Sequence, residues 1–71
     1  MRLRIRDLRD DRDLKQQELA DLLHCERSAY SRYESGEREL PLRYALKLAD
    51  YYNVSLDYLT GRSDDKTPFR A

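Results

Sequence analysis

The chain contains no tryptophan, one cysteine, one phenylalanine, two prolines and two glycines in 71 residues. A lone cysteine excludes an internal disulfide and fits a reducing compartment. Every proline and glycine lies from Gly36 onward, so no such residue breaks helices in the first half. Valine and isoleucine are scarce and no alternating run persists, which removes the strand signal. No apolar run approaches the roughly 20 residues of a membrane span. The start, Met1-Arg2-Leu3-Arg4-Ile5-Arg6, lacks the apolar core of a secretory leader. The expected location is the cytoplasm. An excess of charge of either sign is missing too: fourteen basic and fourteen acidic side chains cancel. Charge alone therefore counts against a polyanionic partner, although a basic face can sit opposite an acidic one. Residues 1–38 hold nine of each sign, so the charges do not segregate along the chain.

Chemistry is thin as well. One His and one Cys, adjacent as His24-Cys25, fall short of the four ligands of a zinc site. Cys25 reads instead as a small buried filler. Asp10, Asp11, Asp13, Asp64 and Asp65 surround no glycine-centred calcium loop and read as solvated surface. No Ser-His-Asp or Cys-His arrangement with an orienting group can be built. Neither an enzyme nor a cofactor is expected. Hydrophobic residues make up 39% of the chain, enough for one small helical core near the lower size limit of a self-supporting domain.

What is present is helical periodicity. The spacing predicts a first helix over Leu3–Arg12 with Leu3, Ile5 and Leu8 inward, closed by Asp13 in left-handed geometry. A second helix over Gln16–Leu23 turns Leu19, Ala20 and Leu23 inward and ends at His24. A third over Arg27–Ser35 buries Tyr30 and Tyr33 and stops at Gly36. The two phenols require a partner or a route to the surface. Pro41 suits the first turn of a fourth helix. Its apolar stripe is Leu42, Ala45, Leu48, Ala49 and Tyr52, with Asn53 as the left-handed cap. Ser55 fits the N-cap of a fifth helix over Leu56–Thr60, ended by Gly61. The expected fold is all-α: a five-helix domain over residues 1–61, followed by a flexible tail over 62–71.

Residues 16–36 carry most of the functional information. Two short helices flank a tight turn, and the second shows a polar face of Arg27, Ser28, Ser31 and Arg32. A helix with bidentate donors on one side and apolar anchors on the other fits the DNA major groove. Arg27 and Arg32 are the candidate base readers, with Ser28 and Ser31 beside them. Lys15, Gln16, Gln17, Ser35 and Arg38, at helix ends and in the next loop, are candidate phosphate contacts. Tyr44, Tyr51 and Tyr58, with Leu40 and Leu56, form a candidate apolar patch of the kind that supports a dimer.

Four segments in order strengthen this reading: Ile5-Arg6-Asp7-Leu8-Arg9, Gln16-Gln17-Glu18-Leu19-Ala20, Ser31-Arg32-Tyr33-Glu34-Ser35-Gly36, and residues 47–59 from Lys47 to Leu59. Across residues 2–61 the chain resembles the lambda-repressor-like (Cro-type, xenobiotic-response-element) helix-turn-helix DNA-binding family. The resemblance implies a compact five-helix domain whose third helix reads double-stranded DNA. It implies that Gln16 contacts a phosphate and braces that helix, that Arg9 pairs with Glu34, and that helices four and five support a homodimer. The chain departs from the family at Lys15 and Glu26, where Ser or Thr is usual, and at His24, where Gly is usual. A carboxylate at 26 has the chemistry to cap the third helix. The expected function is sequence-specific transcriptional regulation, as a repressor on an inverted-repeat operator. Two other roles fit the composition: an antitoxin that holds a toxin protein through residues 62–71, or a protein-interaction module that has lost DNA binding.

Overall fold

The computed structural model describes residues 3–67, and among them it is all-helical. The helices are α1 (Ile5–Asp11), α2 (Gln16–Leu23), α3 (Arg27–Ser35), α4 (Leu42–Tyr52) and α5 (Leu56–Leu59). Predicted and observed bounds agree for α2 and α3. The first helix starts later than its periodicity suggests. The Arg4 N–H is already used by the Leu59 carbonyl at 2.9 Å, which anchors the chain entry to α5 and leaves Leu3 and Arg4 outside the helix. At the other end Arg12 is the C-cap. Pro41 is the N-cap of α4 rather than part of its first turn. Thr60 likewise caps α5 instead of extending it.

Three helices end on a non-glycine residue in left-handed geometry. Asp13, His24 and Asn53 have φ values of 54°, 57° and 56°. After each one the chain doubles back, and the next residue bonds a carbonyl five positions earlier: Leu14 to Arg9, Cys25 to Ala20 and Val54 to Ala49, at 3.1, 2.9 and 3.0 Å. This 6→1 closure satisfies orphan helix carbonyls and turns an apolar residue inward. Leu14, Cys25 and Val54 all reach the core or pack on it. The strain of a left-handed His at the turn is thereby offset by hydrogen bonding and burial.

The core unites Ile5 and Leu8 of α1, Leu19, Ala20 and Leu23 of α2, Tyr30 and Tyr33 of α3, four residues of α4, and Val54 and Leu59. Ala20, completely buried, lets the α2–α3 pair pack closely. Leu42 departs from its predicted place in the α4 stripe: it is 65% exposed, because it occupies the first turn at the edge of the domain.

Residues 62–67 form neither helix nor strand, yet they hydrogen-bond back to α5. The Ser55 N–H donates to the Lys66 carbonyl at 3.0 Å, and the Arg62 N–H to the Asp57 carbonyl at 2.8 Å. The Ser55 hydroxyl donates to the Asp65 carbonyl at 3.1 Å. Residues 68–71 of the predicted tail lie outside the described residues. Among the described residues no helix is long and apolar enough to cross a membrane.

Candidate nucleic-acid interface

Helix α3 separates its chemistry by face. Tyr30 and Tyr33 point into the core, while Arg27, Ser28 and Arg32 are exposed and Ser31 is half-buried along the opposite side. The four predicted base-reading residues therefore share one face. Among the described residues, neither arginine head forms an ion pair or side-chain hydrogen bond, so each guanidinium presents its full fork of donors to solvent. Glu26 occupies the N-cap but makes no side-chain cap bond. The expected carboxylate cap is absent, and the first N–H groups of α3 are not satisfied by it.

The seat of this helix is a polar cluster at its other end. Arg9 of α1 grips Glu34 of α3 with two parallel bonds, Nε to Oε2 at 2.7 Å and Nη2 to Oε1 at 3.1 Å. A further Arg9 donor reaches the Leu14 carbonyl at 2.9 Å, tying the α1–α2 link into the same head group. From α2, Gln16 Nε2 donates to Glu34 Oε1 at 3.1 Å. Three helices thus meet on one carboxylate, whose side chain is 4% exposed. Burial works to raise the Glu34 carboxyl, but hydrogen bonds from its neighbours and the Arg9 charge outweigh it and hold the group below the usual range. Arg9 in turn is raised, first by its bonds to Glu34.

The flanking residues divide into engaged and available groups. Lys15 and Arg38 are exposed at the start of α2 and after α3. Gln17 donates to Asp21 at 2.8 Å along its own helix. The Ser35 hydroxyl donates to the Arg32 carbonyl at 3.1 Å and receives the Glu37 N–H, so it is occupied in closing α3. Lys15 gives no side-chain cap, and Glu18 supplies the reciprocal half by accepting the Lys15 N–H at 2.6 Å.

Sequence reading passed over Arg43. Its guanidinium stacks on the Tyr44 ring with its centre 4.8 Å from the centroid, and Tyr44 meets Tyr33 of α3 edge-on at 6.0 Å. An exposed cation on the first turn of α4 is thereby held beside the reading helix. The clue lay in the polar face of α4, where Arg43 falls off the apolar stripe.

The five residues predicted as an apolar patch do not converge. Leu40 and Leu56 line one open groove of about 760 Å³ together with Leu3, Tyr33, Leu42 and Ala45. Its charged lining residues are Arg6, Asp7, Glu34, Arg38 and Glu39. Tyr58 is covered by Arg4 at 4.3 Å and Lys66 at 5.6 Å. Tyr51 packs on Tyr52 at 5.2 Å, away from the groove. The most exposed leucine, Leu42, was missed because its spacing matches the buried stripe.

Comparison with known proteins agrees with this architecture. A helix-turn-helix family model matches residues 5–59. An uncharacterised HTH-type transcriptional regulator of Bacillus subtilis, YobD, is 37% identical over 65 residues, covering 92% of this chain and 58% of its own length. The cryptic phage CTXphi transcriptional repressor RstR of Vibrio cholerae is 38% identical over 61 residues, with 86% and 55% covered. The HTH-type transcriptional regulator AnsR of B. subtilis is 38% identical over 63 residues, with 89% and 54% covered. The chain thus spans little more than half the length of these relatives. No solved structure matches it significantly. The chain belongs to the lambda-repressor-like helix-turn-helix family.

Proposed function

We propose that this chain binds double-stranded DNA sequence-specifically and acts in the cytoplasm as a transcriptional repressor. The observation that carries the reading is the two-sided α3: exposed Arg27 and Arg32 on the open face, Tyr30 and Tyr33 on the buried one. Entry of α3 into the major groove sets both guanidiniums against base edges, where each suits guanine O6 and N7. Ser28 and Ser31 lie within the same footprint. Lys15 and Gln16 from α2, together with Arg38 and Arg43, hold the phosphates on either side. Ser35 joins them only by exchanging its present hydroxyl bond, whereas Gln16 and Gln17 each keep a second amide proton to offer. The role is binding, with no chemistry at the site.

One domain of this size makes few base contacts. The reading therefore includes a two-fold homodimer on an inverted repeat, with half-sites roughly 34 Å apart. The groove around Leu40, Leu42 and Leu56 favours that assembly. Its lining carries Arg6 and Arg38 beside Asp7, Glu34 and Glu39, so a copy related by a two-fold axis can set opposite signs against each other.

Selection from a random duplex pool tests the proposal, with the Arg27→Ala/Arg32→Ala variant as control. Enrichment of an inverted repeat by the native chain alone is the expected result. Absence of enrichment at low salt overturns the reading and turns the search toward a protein partner.

A further inference from the structure

Among the described residues three arginines lie over tyrosine rings: Arg4 over Tyr58, Arg12 over Tyr51 and Tyr52, and Arg43 over Tyr44. Two of them spend N–H groups inside the domain. Arg4 donates to the Asp64 carboxylate at 2.7 Å, and Arg12 to the Tyr52 carbonyl at 3.2 Å. Arg43 differs. Among the described residues its head enters no ion pair and no side-chain hydrogen bond, and its guanidinium centre lies 4.8 Å from the Tyr44 centroid. A ring contact holds a guanidinium without consuming any of its N–H donors. Arg43 is therefore both placed and chemically open.

The ring beneath it is fixed to α3. Tyr44 is half-buried on the first turn of α4. Its ring meets that of Tyr33 with centroids 6.0 Å apart and planes at 67°, an edge-on contact of defined orientation. Tyr33 is itself buried in the core and directly follows Arg32. Two contacts thus run from the helix that carries Arg27 and Arg32 to a cation on another helix.

We infer that Tyr44 is a positioning residue for DNA binding: its ring, braced on Tyr33, holds the Arg43 guanidinium in a fixed place beside α3, where it takes a backbone phosphate. The inference rests on the DNA-binding reading above. A phosphate contact from outside the reading helix fixes register and strengthens binding alike for every sequence. A long exposed side chain that is already ordered has less freedom to lose on binding. In this arrangement the Tyr44 ring is required and its hydroxyl is not.

The test measures affinity of the full chain for a random-sequence duplex between about 50 and 200 mM salt. The native chain is compared with Arg43→Gln, Tyr44→Phe, Tyr44→Leu and the Arg43→Gln/Tyr44→Leu pair. Removing Arg43 should lower the salt slope by about 0.9 per bound copy, so the native chain loses roughly 3.5-fold more affinity over that range than the variant. Tyr44→Phe should bind like the native chain. Tyr44→Leu should bind roughly 2–5-fold more weakly, and that loss should vanish in the Arg43→Gln background. A merely structural role would leave the loss in place there. In the free native chain and in Tyr44→Phe, the ring current should move the Arg43 δ protons upfield in the NMR spectrum, a readout that stands even if Tyr44→Leu fails to fold. Four results overturn the inference and leave DNA binding by α3 standing: an unchanged slope in Arg43→Gln, an equal loss in Tyr44→Phe and Tyr44→Leu, a Tyr44→Leu loss that persists without Arg43, or ordinary shifts for the Arg43 δ protons. A native chain that binds no duplex at low salt overturns the DNA-binding reading itself, and the inference with it.

Discussion

Two ion pairs of equal length stand in opposite surroundings. Arg9–Glu34 and Arg4–Asp64 both close at 2.7 Å. The first joins side chains that are 14% and 4% exposed; the second joins groups that are 26% and 97% exposed. The Arg9 fork is bidentate and shares its carboxylate with Gln16, so three elements depend on it. The Arg4 contact is a single bond between α1's entry and the segment after α5, supplemented by a stack on Tyr58. Water screens the second pair and holds both side chains nearly as well when they are apart. It cannot do the same for the first. Distance alone therefore ranks these contacts wrongly; accessibility and the number of shared bonds decide.

The largest effect follows from breaking the buried pair on one side. Glu34→Ala leaves the Arg9 guanidinium facing a hole and strips Gln16 of its acceptor. A loss of about 3 kcal/mol is expected, read as a lower urea midpoint with unchanged slope. Replacing both partners with apolar residues, Arg9→Met with Glu34→Leu, should recover much of that stability while loosening the seat of α3. Should the single variant prove as stable as the native chain, the contrast between the two pairs disappears.

Acid titration sharpens the same contrast. Glu34 is held below its ordinary value in the folded chain. A depressed carboxyl contributes stability above its unfolded value, near pH 4.3, and loses that contribution as pH falls through the folded value. The urea midpoint should therefore decline on the acid side, from about pH 4 downward. The Glu34→Gln variant should start lower at neutral pH and show a shallower decline. Equal acid slopes in the two proteins would mean that other carboxylates govern the transition.

How much of this was legible follows the same divide between local and collective effects. Helix positions, the left-handed closures at Asp13, His24 and Asn53, and the Ser55 cap are settled within a few residues, so periodicity and cap chemistry reach them. The joining of Arg9 to Glu34 spans 25 residues and came from resemblance, since nothing local pairs them. The candidate dimer patch groups residues by their place around helices four and five, and such grouping cannot see what covers each ring. In three dimensions Tyr58 is covered by Arg4 and Lys66, and Tyr51 lies against Tyr52. Leu42 fits the inward stripe by spacing, because three- and four-residue steps cannot tell the first turn of a helix, which overhangs the core, from the second. Glu26 does not cap α3 even though it has the chemistry to do so.

A smaller effect belongs to the hydroxyl that joins α5 to the segment after it. Ser55 Oγ accepts the Tyr58 N–H at 3.0 Å and donates to the Asp65 carbonyl. Ser55→Ala removes both bonds and should cost about 1 kcal/mol, the usual value of an N-cap. Limited proteolysis after residue 61 should accelerate in this variant, because the hydroxyl is one of the few fixed attachments of that segment. An unchanged cleavage rate would show that the backbone bonds from Ser55 and Arg62 suffice to hold it.

The smallest effect is the most discriminating for the exposed pair. Asp64→Asn keeps the size of the side chain and removes the charge opposite Arg4. Arg4 retains its stack on the Tyr58 ring and its backbone bond to Leu59. The Asp64 carboxylate is almost wholly in water, so its loss exchanges one solvated state for another. The urea midpoint should stay within experimental error of the native chain, at low salt and at high salt alike. A clear drop at low salt that vanishes on adding salt would instead show that the pair works through long-range charge. The equal 2.7 Å lengths would then reflect comparable roles after all, and the seat of α3 would be only one of two electrostatic anchors in the domain.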